Sequence, residues 1–330
     1  MPQNSQRYAI GRVRALSRTL LTRAAVERMI AASDIAEMAR VLAEAGWGEA
    51  HTQEQVEALA DARLAQACRL LREITPDEQV TDCFLLRYDI LNLKALFKAR
   101  MLGTKDVLLS DNGLTDPQTL RQAVGEGKYA ALGEEMRPAL EEVERRIALE
   151  EDALFVDARL DRLLFAMIAD RLARAAKLDK ALRDYFAALS DKTNVLIALR
   201  VRRMGREEAL CEEMFVCGGR LAPAEVLSLL SQDAAAPARA KLEDGFVRAL
   251  ESGLQALARR GGLALLEKRL DDYLLSLVRP GRYNVEGLLP LVGYFLACER
   301  EATAVRLIAA AKAVGASVEK LEENLRQTYA

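Results

Sequence analysis

The chain has one histidine and one tryptophan, and aromatic residues make up only 5% of it. His51, in "GEAHTQEQ", has no second His or Cys at ligand spacing, which argues against a zinc site. The five cysteines (Cys68, Cys83, Cys211, Cys217 and Cys298) are odd in number and form no CxxC pair. They read as reduced thiols packed as small hydrophobes, as expected in a cytosolic compartment. No glycine-rich phosphate loop is present: "GKYAALGEE" lacks both the GxxxxGK[ST] pattern and a preceding strand. A GxSxG nucleophile elbow is missing too. "LDDY" (Asp271, Asp272) begins like the magnesium-binding DDxxD of all-α prenyl-transferring enzymes, but Leu275 stands where the third acid belongs. The acidic "LEEDALFVD" (Leu149 to Asp157) reads as a solvated helix face. No catalytic residue, cofactor or metal is therefore expected.

Long apolar runs are also lacking. The longest, "LLPLVGYFLAC" (Leu288 to Cys298), falls well short of the roughly 20 residues a bilayer span needs. The first residues contain no apolar core of a signal peptide, so neither a span nor a leader is expected. A net charge of −2 offers no basic field for nucleic acid. The one basic stretch (Arg7, Arg12, Arg14, Arg18, Arg23 and Arg28 against Glu27) fits a solvated or partner-facing helix face. β-branched and aromatic runs, which strands would want, do not occur. What is abundant is Ala and Leu with interspersed Glu, Lys and Arg. These side chains lose little rotamer freedom in a helix, so the expected fold class is all-α.

The chain repeats itself. "YDILNLKALFKARMLG" from Tyr88 returns as "SDKTNVLIALRVRRMG" from Ser190, so that Asp89/Asp191, Asn92/Asn194, Arg100/Arg202 and Gly103/Gly205 pair at a constant shift. On the first copy Leu93, Leu96, Phe97 and Met101 make one apolar face. Asp89 sits as an N-cap would, and Gly103 as a left-handed C-cap would. Asn92 and Arg100 fit neither role. If buried, the amide must find hydrogen bonds. It either ties its helix to neighbouring backbone or lines a cavity facing a partner.

A second shared element precedes each copy: "DARLAQACRLL" from Asp61, "DARLDRLLFAM" from Asp157 and "EKRLDDYLLSL" from Glu267. Three helix starts follow the same rhythm, "SDIAEMARVL" at Ser33, "TDPQTLRQAV" at Thr115 and "LAPAEVLSLL" at Leu221. Asp34 with Glu37 resembles a capping box, and Asp116 caps a first turn holding Pro117. A degenerate third version of the repeated helix is read at "RYNVEGLL" from Arg282, with the helix itself running from near Pro290 to Lys312 and stopping at Gly315. Three helical units follow, at 1–110, 111–217 and 218–330. The period is too long for common solenoids. Three like units suggest a pseudo-threefold ring or arc, because closed rings satisfy heterologous contacts between equivalent surfaces.

The order of these motifs resembles the C subunit of the V/A-type ATPase/synthase, whose eukaryotic V-ATPase counterpart is the d subunit. The resemblance rests on "YAIGRVRALSRTLLT" with Tyr8 and Arg14, on the repeated helix, and on "PLVGYFLACEREATAVRLI" with Tyr294, Glu299, Glu301 and Arg306. One departure is Leu289 ahead of Pro290, where a Glu–Pro pair is expected. The resemblance implies three similar helical domains in a funnel around a central opening. It implies a non-catalytic central-stalk component seated on the cytoplasmic side of the membrane proteolipid ring. As a peripheral rotor part, held by protein contacts, it would receive the D and F subunits of the shaft and carry torque between ATP chemistry and ion or proton translocation. The family-motif residues Tyr8, Arg14, Asp89, Asn92, Arg100, Asp191, Asn194, Arg202, Tyr294, Glu299, Glu301 and Arg306 would then be structural or partner-facing. The alternatives are a free-standing helical scaffold and an all-α divalent-metal enzyme.

Overall fold

The computed structural model describes residues 6–104, 106–149, 153–175, 177–230, 235–260 and 262–329. Every regular element among them is helical, and no strand occurs. The acidic run read at Leu149 to Asp157 lies in part outside the described residues.

Local chemistry sets the helix ends. Thr22, Asp34, Thr52 and Asp116 each accept a hydrogen bond from an N–H of the first turn they cap. Glu37 accepts the Ser33 N–H, one residue ahead of the Asp34 cap, in a variant of the box read from sequence. Pro117 and Pro223 occupy first turns, where the missing N–H costs nothing. Gly103, Gly205 and Gly315 end the three long motif helices with φ near +65°, in the left-handed region that only glycine enters freely.

The chain packs into two compact units. One comprises Met1–Pro76, Asp179–Tyr185 and Asp244–Ala330; the other comprises Asp77–Leu178 and Phe186–Glu243. In the first, helix Leu289–Ala313 lies along helix Gln53–Ile74, while Asp244–Arg260 packs on Ala264–Val278. Leu289–Ala313 is buried nearly all round over its first half, as a central core helix must be. In the second unit, helix Leu86–Met101 packs on Ala153–Arg174 and on Pro117–Glu126. Lys94 to Asp161 and Lys98 to Asp157, both at 2.6 Å, lace that first pair together.

The third long helix starts at Leu289 with Pro290 in its first turn, close to where the sequence placed it, and Arg279–Tyr283 ahead of it is a 3-10 turn. One sequence expectation is corrected. Ser33 is not the counterpart of Thr115 and Leu221. The matching helix start is Thr22, as the geometry below requires.

Candidate functional site

The repeated polar residues build one device, a clamp between two helices. In the first copy the buried Asp89 carboxylate accepts the N–H groups of Leu114 and Thr115, each at 3.1 Å, directly ahead of the Asp116 cap. Asn92, one turn on, makes a two-bond pair with Ser110. Its amide nitrogen donates to the Ser110 carbonyl and its oxygen accepts the Ser110 N–H, both at 2.8 Å. Arg100 reaches the far end of the clamped helix and donates to the Val124 carbonyl at 3.0 Å.

The second copy repeats every contact. Asp191 accepts the N–H groups of Arg220 and Leu221 ahead of the Ala222 cap. Asn194 pairs with both backbone groups of Val216, at 2.9 and 2.8 Å. Arg202 donates to the Leu230 carbonyl at 3.1 Å. Burial pushes the Asp191 carboxyl up, and the two backbone N–H donors oppose that shift.

The logic is electrostatic as well as steric. A carboxylate sits at the positive N-terminal end of the clamped helix and a cation at its negative C-terminal end. Acid and base are eleven residues apart on the clamping helix, a rise of about 16 Å. The clamped segment between their contacts rises about 13 Å, so the two helices match in reach. Close approach of the carboxylate needs a glycine opposite it. A Cβ at Gly113 would overlap the Asp89 carboxylate, and one at Gly219 would overlap that of Asp191.

A third clamp uses different residues, and its two halves come from opposite ends of the chain. Glu301, in helix Leu289–Ala313, accepts the N–H of Leu21, directly ahead of the Thr22 cap. Lys312, eleven residues on, donates to the carbonyls of Ile30 and Ala32 at the end of helix Arg23–Ala31. Gly315 follows Glu301 by fourteen residues, as Gly103 follows Asp89 and Gly205 follows Asp191. Where the other clamps have Asn, this one has Ala304. Where they have glycine opposite the acid, it has Thr19, and the acid is longer by one methylene. The extra reach offsets the standoff a side chain at Thr19 imposes. Sequence matching missed Glu301 and Lys312 as clamp members, because acid and base are kept in charge and not in identity. The surviving signal was the spacing to Gly315.

The remaining motif residues are scattered. Tyr8 is largely exposed on helix Gln6–Leu16. Arg14 donates to the carbonyls of Tyr283 and Asn284. Arg306 pairs with Asp61, joining the two long helices of its unit. Tyr294 is buried beside Cys298, and burial raises both groups, the thiol to about 11. Glu299, on the same helix, accepts the Thr303 hydroxyl at its backbone carbonyl.

Nothing among the described residues gathers three or more metal-ligating side chains. The "LDDY" acids are committed internally. Asp271 pairs with Arg326 at 2.7 Å, and Asp272 takes Lys268 and the Gln327 N–H. His51 lies exposed. Four cysteines are buried and Cys217 is exposed. A cavity of about 280 Å³ beside Phe155 is rich in arginine, yet its cations are engaged. Arg159 pairs with Glu142, Arg162 donates to the Glu213 carbonyl, and Arg146 stacks over Phe155.

Each clamp joins helix to helix within one compact unit. The ATP synthase (C/AC39) subunit family matches residues 9–324. The C subunit of the V-type sodium ATPase of Enterococcus hirae is 25% identical over 262 residues, covering 78% of each chain. No helix among the described residues is long and apolar enough to cross a membrane. With nearly its whole length matched, the chain belongs to the ATP synthase (C/AC39) subunit family, a non-catalytic component of the V-type rotary ATPase.

Proposed function

We propose that this protein is the central-stalk socket of a V/A-type ATPase/synthase. In this reading it sits on the cytoplasmic face of the membrane, receives the D and F subunits of the shaft, rests on the proteolipid ring, and transmits torque between them. One observation carries the reading: the cyclic order of the clamps. The first joins residues 89–100 to 110–124, the second joins 191–202 to 216–230, and the third returns from 301–312 to 21–32. Clamps that pass along the chain and then return to its first helices support the reading of three like helical stretches as one torque-bearing socket.

A second feature suits partner contact. The residue just before each capping glycine is apolar and exposed: Leu102 at 77%, Met204 at 49% and Val314 at 79%. Exposed apolar side chains at equivalent positions ahead of the three capping glycines fit docking on another protein. Charging all three (Leu102→Glu, Met204→Glu, Val314→Glu) should leave the thermal midpoint within a few degrees. It should weaken capture by purified proteolipid ring at least tenfold. Undiminished capture would remove the tips from the interface.

The main test is reconstitution. The purified chain should bind a D–F pair in a one-to-one complex on size exclusion, and should hydrolyse no ATP alone. Failure to associate with either the shaft or the ring in a pull-down would overturn the assignment. That reading would then give way to a free-standing scaffold.

A further inference from the structure

The third clamp differs from the other two in what it holds and how well it holds it. It joins residues 280 positions apart, so no short loop keeps its halves together when contacts loosen. Its acid accepts one backbone N–H, against two for Asp191. The second oxygen of Glu301 is buried, accepts no hydrogen bond, and stands 3.9 Å from the Arg63 guanidinium. The Asn pair is gone, replaced by Ala304. This is the seam at which the chain's first and last parts meet.

We propose that the seam is proton-gated: Glu301 holds the segment 17–32 on helix Leu289–Ala313 more firmly with a proton than without one. The surroundings are explicit. Helix Gln53–Ile74 contributes Arg63, which is itself held by the carbonyl and hydroxyl of Thr19. The N-terminal segment contributes the Leu21 N–H. Helix Ala264–Val278 directs Asp271 at Arg300 and Arg326, and Asp61 faces Arg306; none of these acids faces Glu301. On its own helix Glu301 has the Tyr294 phenol and the Cys298 thiol within two turns, both raised far enough to stay protonated near neutrality.

Burial pushes the Glu301 carboxyl up to about 7, against the opposing pull of the Leu21 N–H and of Arg63. A carboxylate raised above its solvent value binds its proton more tightly in the closed seam than in the open one. The seam is therefore strongest below about pH 4.5 and weakens as pH rises towards about 7, where the loss levels off. Between pH 5.5 and 7.5 the closed-to-open ratio should fall about twentyfold. The inference stands on the geometry of one packed unit and holds or fails independently of the rotor assignment.

Hydrogen exchange on the full chain tests it, read as the protection factor of the peptide spanning residues 17–32 after correction for intrinsic rates. In the wild type that factor should drop about twentyfold from pH 5.5 to 7.5. In Glu301→Gln, which keeps the shape and an acceptor for Leu21, it should be the same at both pH values. Lys312→Met should lower protection at both pH values while preserving their ratio, because it loosens the seam without touching the proton site. An unchanged wild-type factor, a Glu301→Gln variant that keeps the wild-type ratio, or a Lys312→Met variant that loses it would each overturn the proposal.

Discussion

Gly113→Ala should destabilise the protein by about 2–4 kcal/mol, and Gly219→Ala by a similar amount. A single methyl group would ordinarily matter little on a loop. Here the new Cβ of residue 113 would overlap the Asp89 carboxylate and lie 3.1 Å from the Asp89 backbone nitrogen, so turning the side chain alone does not relieve it. Either the loop moves away or the carboxylate gives up the N–H groups of Leu114 and Thr115, which are half-buried and then lose this partner. The control is Gly125→Ala, inside helix Pro117–Glu126 with nothing near its Cβ position. That change should stabilise by about 0.5–1 kcal/mol, because alanine loses less backbone entropy in a helix. Urea denaturation midpoints would separate the two outcomes. A double-mutant cycle sharpens the test: with Asp89→Ala already in place, Gly113→Ala should cost almost nothing more, since clash and clamp disappear together. Additive losses would mean that the glycine serves something other than the carboxylate.

The second large effect concerns the amides. Asn92→Leu and Asn194→Leu should each cost about 2–4 kcal/mol, since leucine fills the space but strands a backbone N–H and a carbonyl, half-buried in the first copy and buried in the second. The stranded groups are those of Ser110 in one clamp and Val216 in the other. Asn92→Asp should not rescue the loss, because a carboxylate can accept from the Ser110 N–H but meets the Ser110 carbonyl with like charge. Both alternatives left open by the sequence are separated here. An amide serving the fold lowers stability and leaves shaft binding intact at temperatures where the variant is folded. Full stability with lost shaft binding would put the amide on the partner surface instead.

Much of this was readable along the chain. The shift between Asp89 and Asp191 is constant through four shared residues. The helix-forming composition, the capping acids and the glycine stops placed the long helices, including the one from Leu289 to Ala313. The third clamp was not readable, for two physical reasons. A clamp needs a carboxylate, a cation and a reach, and Glu301 with Lys312 meets those needs without sharing one side chain with Asp89 and Arg100. Its other half, Leu21 to Ala32, lies at the opposite end of the chain, where no local periodicity points to it. Matching by letters therefore found the helix from near Pro290 without its clamp, and settled on Ser33, one helix too late.

By itself, then, the sequence determined an all-helical chain and two copies of a polar motif whose spacing demanded a common purpose. Those are consequences of side-chain type and of separation along a helix, and both survive any arrangement of the helices. Only the tertiary structure decided what the motif grips. It also revealed that the N-terminal segment completes the last clamp, and that this clamp's acid lies buried with one oxygen unbonded. Hydrogen-bond partners distant in sequence, and the loss of water around a carboxylate, are properties of packing, and they come into being only when the chain folds.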